Sequence, residues 1–157
     1  MNTNVSIIDF DSSYRSDFKA LNVAWIQKYF KMEDADYKAL VHPEENIIQK
    51  GGYIALALLE NEVVGTCALL KMESDLFDYE LAKMSVSPSA QGLGIGQALG
   101  KRILEKAKEL GAKNIFLESN TVLESAIHLY KKMGFREIDH IETPYERCNI
   151  QMCIDIG

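Results

Sequence analysis

Three glycines at alternate positions, Gly92, Gly94 and Gly96, constrain the fold of this chain more than any other feature of its sequence. They follow a β-rich run that stops at Pro88. From Ile95 onward, apolar residues recur every three or four positions, as on one face of a helix. A strand, a glycine-rich turn and a helix start suit an anion, because the first helical N–H groups lack partners and the helix dipole is positive there. The segment therefore predicts an α/β fold with an anion site between a strand and a helix.

Two common nucleotide-binding motifs fail in this glycine-rich segment. A dinucleotide fingerprint that starts at Gly92 requires a glycine at position 97, where the chain has Gln97. A P-loop that ends in Gly100-Lys101 requires a glycine at position 95, where the chain has Ile95. A nucleotide-binding α/β domain therefore stays only as a weaker alternative.

The other hydrophobic patterns predict a single α/β domain over residues 1–157, without an internal repeat or linker. Thr121 and Glu124 fit a capping box at the start of the last predicted helix. The predicted strands are 5–9, a hairpin over 53–70, 78–86, 114–118, 135–138 and 150–156, and the predicted helices are 14–30, 33–41, 95–110 and 123–133.

Charge and hydropathy narrow the class of partner. The 17 Lys and Arg residues are outnumbered by 23 Asp and Glu, which gives a net charge of -6 and argues against the basic face of a nucleic-acid-binding protein. No apolar run approaches the roughly 20 residues of a membrane span, and no signal peptide opens the chain. We therefore expect no nucleic-acid partner, no membrane association and a cytoplasmic location.

Cysteine and histidine patterns argue against a metal cofactor. The three cysteines are odd in number and lack the spacing of metal ligands, which suggests apolar filler in a reducing compartment. The three histidines lie far apart, without Cys, Asp or Glu partners at ligand spacing. We therefore expect no metal site. The cysteines in question are Cys67, Cys148 and Cys153, and the histidines are His42, His128 and His140.

Two stretches of the chain resemble the GNAT N-acetyltransferase family. Residues 80–99, "ELAKMSVSPSAQGLGIGQAL", resemble the acyl-CoA-binding motif, whose core pattern is Gln/Arg-x-x-Gly-x-Gly/Ala. Residues 120–135, "NTVLESAIHLYKKMGF", resemble the second motif of the family. Both motifs stand in the family's order and together cover roughly residues 50–140. The matching residues are Gln91, Gly94 and Gly96 in the first motif and Asn120, Ala126, Tyr130, Gly134 and Phe135 in the second.

The resemblance implies a mixed α/β GNAT fold. Its mostly antiparallel central sheet would splay at the acyl-CoA site, with helices on both faces. In the family, backbone N–H groups of the glycine loop hold the pyrophosphate of coenzyme A, the preceding strand pairs with the pantetheine arm, and an asparagine hydrogen-bonds that arm. Acetyl-CoA is thus implied as the cosubstrate. The implied cofactor-binding residues are Met84, Val86, Gln91, Gly92, Leu93, Gly94, Ile95, Gly96, Gln97, Asn120 and Tyr130.

The resemblance also implies direct acetyl transfer to a primary amine in a ternary complex. Helical spacing alone favours Tyr130 as a core residue, whereas the resemblance implies a general acid that protonates the departing CoA thiolate. Glu80 is the candidate base for the protonated amine, or else an exposed strand carboxylate without a catalytic role. Glu118 and then Asp78 are the alternative bases.

The acceptor and the catalytic status stay open at this stage. A non-catalytic acetyl-CoA-binding sensor or interaction module is the alternative to an enzyme. The acceptor could be a small-molecule amine or a peptide or protein amine. Residues 25–50, rich in aromatic and acidic side chains, either frame a pocket for a small amine or form an amphipathic helical cover. A homodimer is compatible with the resemblance, since similar proteins are often dimers.

Overall fold

A computed structural model describes residues 4–157, in which seven strands form one sheet and four α-helices pack against it. Short 3-10 turns occupy Ser12–Tyr14 and Pro88–Ala90, and a π-helical turn occupies Glu44–Ile48. The strands are β1 Val5–Asp9, β2 Tyr53–Leu59, β3 Glu62–Lys71, β4 Tyr79–Val86, β5 Asn114–Ser119, β6 Arg136–Glu137 and β7 Ile150–Asp155. The helices are α1 Arg15–Tyr29, α2 Asp34–Val41, α3 Ile95–Glu109 and α4 Glu124–Met133.

The sheet has the strand order β1-β2-β3-β4-β5-β7-β6, and it is antiparallel except between β4 and β5. Only two residue pairs join these parallel strands, Tyr79 with Ile115 and Glu80 with Phe116. Beyond Glu80, β4 stays paired with β3, whereas β5 pairs with β7. The sheet therefore opens at its centre, which confirms the predicted mixed, mostly antiparallel and splayed architecture.

Helices cover both faces of the sheet, as predicted. The apolar stripe of α3 is fully buried at Leu99, Ile103 and Ala107, where it packs with α4 on one face. Phe18 of α1 and Leu40 of α2 are fully buried on the opposite face. Helix α3 thus buries the face that its hydrophobic periodicity marks, whereas α1 buries the polar Asn22 between Phe18 and Ile26 and leaves Tyr29 exposed. None of the helices described between residues 4 and 157 has the length and apolar character needed to cross a membrane.

The predicted capping box of Thr121 and Glu124 is wrong. Helix α4 begins at Glu124, and its N-cap is Leu123, which makes no side-chain cap. The hydroxyl of Thr121 instead accepts a hydrogen bond from the side-chain amide of Asn149 at 3.2 Å, in the segment before β7. The Thr121 hydroxyl, which the local sequence pattern assigned to the start of α4, therefore makes a tertiary contact with Asn149 instead. A capping box does form at the start of α2, where Glu33 is the N-cap.

Two glycines provide a matched test of the packing. A methyl group at Gly52 would lie 2.5 Å from the carbonyl oxygen of Leu69 and 2.7 Å from that of Ile47, and neither backbone atom can move freely. At Gly100, inside α3, it would meet the flexible end of Met133 at 2.7 Å. We expect Gly52→Ala to lower the free energy of unfolding by about 1–3 kcal/mol.

The Gly100→Ala substitution should cost less, because alanine favours a helix interior by about 1 kcal/mol over glycine and the end of Met133 can rotate away. Urea unfolding of both variants and the wild type measures the difference. If both variants lose the same free energy of unfolding, the close carbonyl oxygens of Leu69 and Ile47 are not the reason for glycine at position 52.

Candidate active site

A cavity of about 410 Å³ lies where β4 and β5 separate. Trp25 and Phe30, at the end of α1, line it from one face of the sheet. Ala126 and Tyr130 of α4 line it from the other face, and β4 runs along it over residues 80–86. The cavity therefore passes through the gap in the sheet and is lined from both faces.

The glycine loop at the start of α3 has the backbone geometry of an anion cradle. Gly92 and Gly94 adopt left-handed conformations, with φ of 85° and 76°, and a methyl group on either would meet nothing within 4 Å. Gly94 is the N-cap of α3 and supplies no side-chain cap, while the first turn contains no acidic residue. The N–H groups of that turn thus lack helical partners and point where the dipole is positive. The loop therefore suits a bound anion.

Gly96 has a different role from its two neighbours in the loop. A methyl group there would lie 3.3 Å from Cδ2 of Leu129 on α4. A glycine at this position therefore allows α4 to approach α3 closely beside the loop. Gln91, just before the glycines, lines the cavity, as do Met84 and Val86 on β4. The loop and the strand predicted to hold a cofactor are consequently adjacent in the structure.

A β-bulge interrupts β4 next to the cavity. Ala68 pairs with Ala82 and Thr66 pairs with Ser85, so that two residues of β4 oppose Cys67 alone on β3. Lys83 is one of the two and adopts a left-handed conformation with φ of 54°, which is uncommon for a residue with a side chain. The bulge breaks the regular ladder beside Met84 and bends the strand at the cavity.

A buried ion cluster holds this bulge. The Lys83 ammonium lies 2.6 Å from the Asp36 carboxylate, and their side chains are only 3% and 0% exposed. Lys83 also donates a hydrogen bond to the Tyr145 hydroxyl at 3.1 Å. Arg147 donates two hydrogen bonds of 2.6 Å to Asp36 and lies 3.4 Å from Glu33. Strand β4, helix α2 and the segment before β7 thus meet at one carboxylate.

A second polar chain connects the same bulge to the cavity wall. The Thr66 hydroxyl donates to the carbonyl oxygen of Lys83 at 3.1 Å, and Asn22 donates to that hydroxyl at 3.1 Å. The indole N–H of Trp25 in turn donates to Asn22 at 3.0 Å. Asn22 and Thr66 are both fully buried. The position of the Trp25 ring is therefore fixed relative to the bulge.

Two carboxylates stand where the sheet opens. Glu80 and Glu118, on β4 and β5, both line the cavity, and neither forms a salt bridge with a described Lys, Arg or His. Glu118 accepts one hydrogen bond from Gln151, at 2.9 Å. Burial and the neighbouring Glu118 raise the pKa of Glu80 to about 8, although Lys83 acts in the opposite direction. Glu80 can therefore exchange a proton close to neutral pH.

Asp78, the third candidate base, has a structural role outside this cavity. Its carboxylate accepts a hydrogen bond of 2.7 Å from the backbone N–H of Lys113, which ties the start of β4 to the start of β5. The described part of the chain contains no group of three or more His, Cys, Asp or Glu side chains arranged to hold a metal ion. The titratable side chains that line the cavity are the carboxyl groups of Glu80, Glu118 and Glu124, the phenols of Tyr29, Tyr130 and Tyr145, the Lys83 ammonium, the Arg147 guanidinium and the Cys148 thiol.

Tyr130 places a phenol at the cavity from the α4 side. The residue is 7% exposed, and its ring packs edge to face against Phe135 at 6.0 Å. Burial raises the pKa of Tyr130 well above its ordinary value, and the nearby Cys67 acts in the same direction. The phenol therefore keeps its proton at neutral pH and can donate it inside the cavity.

Asn120 lies at the cavity edge, at the turn before α4. Its side-chain oxygen accepts a hydrogen bond from the N–H of Val122 at 2.9 Å, and its nitrogen donates to the carbonyl oxygen of Arg147 at 2.8 Å. An amide has a second N–H and a second lone pair, so ligand binding is compatible with these bonds. Asn120 thus connects the turn before α4 to the ion cluster.

Sequence reasoning missed three residues of this site. Lys83 is a charged residue in the middle of a strand that alternates buried and half-buried residues, and this placement was the available signal. Tyr145 and Arg147 lie between β6 and β7, in a stretch without hydrophobic periodicity, so no sequence pattern marked them. The predicted residues Glu80, Met84, Val86, Gln91, Asn120 and Tyr130 all line the cavity, and Gly92, Leu93, Gly94, Ile95, Gly96 and Gln97 form the loop beside it.

Comparison with known proteins relates this geometry to one family. The model of the acetyltransferase (GNAT) family matches residues 14–135, which include the glycine loop, β4 and Tyr130. An uncharacterized N-acetyltransferase of Escherichia coli K12, YjgM, is 37% identical over 98 residues. The match covers 59% of this chain and 58% of that protein, so it spans less than two thirds of the relative.

Solved structures share the fold over nearly the whole chain. A GNAT acetyltransferase from Staphylococcus aureus Mu50 superposes with a TM-score of 0.86 and 25% identity, over 98% of this chain and 99% of that one. The putative acetyltransferase yncA of Salmonella typhimurium, whose structure contains its cofactor acetyl-CoA, gives a TM-score of 0.78 at 17% identity. That match covers 99% of this chain and 95% of the other, and it shows the fold alone.

The ion cluster predicts a specific dependence of stability on pH. Burial alone would raise the pKa of Asp36, but hydrogen bonds from Arg147 and Lys83 outweigh it and lower the pKa to about 2. The folded pKa is thus below that of the unfolded chain, about 3.9. The stabilising contribution of Asp36 is therefore complete above pH about 4 and disappears as the pH falls toward 2.

Asp36→Asn should lower the free energy of unfolding at neutral pH by about 3–5 kcal/mol, because it leaves Lys83 buried without a counter-charge. The variant should also lose stability less steeply between pH about 4 and 2. Urea unfolding across this range measures both effects. Asp34→Asn, at an exposed site in the same helical turn, is the control. A similar response of the two variants would contradict the assigned role of Asp36.

Proposed function

The chain belongs to the GNAT acetyltransferase family, and from this premise we propose that it transfers the acetyl group of acetyl-CoA to a primary amine. The cavity that crosses the open sheet carries the proposal. It brings Tyr130 from one face and Glu80 from the other to the same space, beside a loop that fits a diphosphate. An acyl donor and an amine acceptor can therefore meet without sharing an entrance.

The donor side of the cavity follows from the glycine loop. Backbone N–H groups of residues 91–97 would bind the pyrophosphate, and Met84 and Val86 of β4 would pair with the pantetheine arm. The side chain of Asn120 would hydrogen-bond that arm. Acetyl-CoA supplies a thioester carbonyl, which backbone donors beside the bulge at Met84 would polarise. Such preorganised donors contribute on the order of a few kcal/mol to catalysis.

The acceptor side must remove a proton, since a primary amine is protonated near neutral pH. Glu80 would take this proton, directly or through water, so that the nitrogen can attack the carbonyl carbon. A C–N bond forms as the C–S bond breaks, and the Tyr130 phenol would donate its proton to the departing sulfur. The raised pKa of each group suits these opposite roles. It makes the Glu80 carboxylate a stronger base for the amine proton, and it keeps the Tyr130 phenol protonated at neutral pH.

Measurement of CoA thiol release from acetyl-CoA tests the proposal, with a panel of polyamines, amino acids, aminoglycosides and short peptides as acceptors. Calorimetry with acetyl-CoA provides the binding measurement. Release above the blank without amine supports the enzyme. Tight binding without release from any acceptor would replace the enzyme by the sensor, and absence of binding would refute the assigned cofactor.

The phenol of Tyr130 provides the first catalytic prediction. Tyr130→Phe should lower kcat about 10²-fold or more while the affinity for acetyl-CoA stays nearly constant, because the variant loses a proton donor and keeps the ring. Steady-state kinetics and calorimetry measure the two effects. Tyr37→Phe, at a tyrosine that is 50% exposed and away from the cavity, is the control. An unchanged kcat in Tyr130→Phe would remove Tyr130 from the mechanism.

The raised pKa of Glu80 predicts how kcat/KM depends on pH. Because the deprotonated form is the base, kcat/KM should rise with pH through about 8 and level off above it. Burial is the main cause of this raised pKa; Glu118 on β5 raises it further and Lys83 on β4 lowers it. The Tyr145 hydroxyl lies beside these groups.

Glu80→Gln should remove this rise and lower kcat/KM by about 10²-fold, as loss of a general base does. Glu105→Gln, at an exposed position on α3, should retain the profile of the wild type. Rate measurements against pH for the three proteins give the comparison. A Glu80→Gln variant with the profile of the wild type would transfer the role of base to Glu118 or to the amine itself.

A further inference from the structure

The protein uses only part of the hydrogen-bonding capacity of Arg147. A guanidinium has five N–H groups, two on each terminal nitrogen and one on Nε. Nη1 and Nη2 each donate to Asp36 at 2.6 Å, and Nη1 also lies 3.4 Å from Glu33. Within residues 4–157, neither the Nε–H nor the second N–H of Nη2 forms a hydrogen bond. These two donors are left for a ligand.

The two remaining donors lie side by side on one edge of the guanidinium, which we call the free edge of Arg147. Their parallel N–H groups match the two oxygens of a carboxylate. Arg147 lines the cavity with a side chain that is 12% exposed. No fully buried side-chain nitrogen or oxygen of the described chain lacks a hydrogen-bond partner, so the unpaired Nε is accessible. A ligand in the cavity can therefore reach the free edge.

The surrounding side chains hold the guanidinium in one orientation. Its carbon lies 4.5 Å from the ring centroid of Tyr145, 5.7 Å from that of Trp25 and 5.8 Å from that of Phe30. The two short bonds to Asp36 fix the end of the group. Because Arg147 is already ordered, a ligand that binds its free edge loses little free energy to immobilising the side chain.

A second cation of the same cavity also has a donor to spare. The Lys83 ammonium has three N–H groups, and within the described part of the chain its hydrogen bonds go to Asp36 and Tyr145 alone. The Lys83 side chain lines the cavity and is only 3% exposed. Unpaired donors of enclosed cations are costly, so a ligand that accepts from them is favoured. Both cations thus favour a ligand with anionic oxygens.

The charges of the site require that such a ligand also carry an ammonium group. The two cations are balanced by Asp36 and Glu33, and Glu118 adds one more carboxylate. Burial and Glu118 raise the pKa of Glu80 to about 8, so Glu80 is largely uncharged at neutral pH. A lone carboxylate would add a further negative charge, whereas a zwitterion adds no net charge. A zwitterion also brings its ammonium to Glu80 and Glu118.

Tyr145 connects the free edge to the candidate base. Burial raises the pKa of the Tyr145 phenol, the carboxylates of Glu80 and Asp36 raise it further, and Arg147 lowers it. The hydroxyl of Tyr145 also accepts the hydrogen bond from Lys83. One phenol therefore lies close to Arg147 and to Glu80, so that a small acceptor can contact both.

We propose that the free edge of Arg147 binds a carboxylate of the acceptor, and that the acceptor is an amino acid whose amine lies on the side of Glu80 and Glu118. The inference rests on the proposed acetyl transfer and specifies its substrate class. Arg147 is a specificity-determining residue in this arrangement, because it contacts the end of the acceptor that does not react.

Three amino acids test the proposal, L-alanine, β-alanine and γ-aminobutyrate, each compared with its carboxamide. The three differ in the spacing of amine and carboxylate, and each carboxamide removes only the negative charge. For the best of the three, we expect kcat/KM to exceed that of its carboxamide by about tenfold or more. A carboxylate raises the pKa of a nearby amine, so easier deprotonation cannot explain this preference. Equal kcat/KM within every pair, or CoA release by polyamines alone, would overturn the proposal.

Arg147→Lys should remove most of this preference, since lysine keeps the positive charge beside Asp36 but lacks the planar fork. The readout is the ratio of kcat/KM within one pair, because a purely structural role of Arg147 would lower both values equally. Arg136→Lys, at a side chain that is 62% exposed and outside the cavity, should keep the ratio of the wild type. A wild-type ratio in Arg147→Lys would contradict the assigned role of Arg147.

Calorimetry of the same pairs with the wild-type protein, with and without CoA, provides a readout that is independent of turnover and of any variant. Binding should be about tenfold tighter for the best amino acid than for its carboxamide. If no acceptor releases CoA, the proposed transfer fails, while this titration still decides whether the carboxylate site exists. Equal binding within each pair, or no binding of any amino acid, would refute the site.

Discussion

The separation of β4 from β5 is the constraint on which the site depends. A parallel strand in the centre of a sheet normally bonds to neighbours on both sides, but β4 bonds to β5 only at its first residues. Backbone groups that face the opening must find other partners, since unpaired buried N–H and C=O groups are costly. Water or an extended ligand can satisfy them. The opening is thus a place in the sheet where backbone hydrogen-bonding groups of β4 are left for water or a ligand.

The buried ion cluster holds this opening in place. A buried ion pair often adds little net stability over an apolar replacement, because desolvation offsets the attraction, although removing one partner is costly. The ion cluster therefore contributes here mainly by holding the bulge of β4 in a fixed position relative to α2, and less by adding stability. Lys83 is at once the left-handed residue of the bulge and the partner of Asp36 on α2. Shifting the bulge would break the buried bond between Lys83 and Asp36.

The sequence was sufficient to place β4, the glycine loop and α3, for reasons that are local. Hydrophobic periodicity identified α3 and β4, and glycine at positions 92 and 94 corresponds to left-handed backbone that other residues rarely adopt. The ion cluster beside Glu80 could not be predicted in this way. Asp36 and Arg147 are 111 residues apart along the chain and meet only in the folded state. Thr121 was misassigned for the same reason, because its partner Asn149 is distant in sequence.

Binding and catalysis become linked through the charge of the acceptor. An ammonium that enters beside Glu80 would favour the ionised carboxylate, since an opposite charge nearby lowers the pKa of an acid. Glu80 would then lose the proton that burial and Glu118 help it to keep. The base would thus be deprotonated by the arrival of the substrate whose proton it must take. An acceptor without an ammonium group would leave Glu80 protonated near neutral pH, so the same electrostatic interaction that binds the amine would also activate the base.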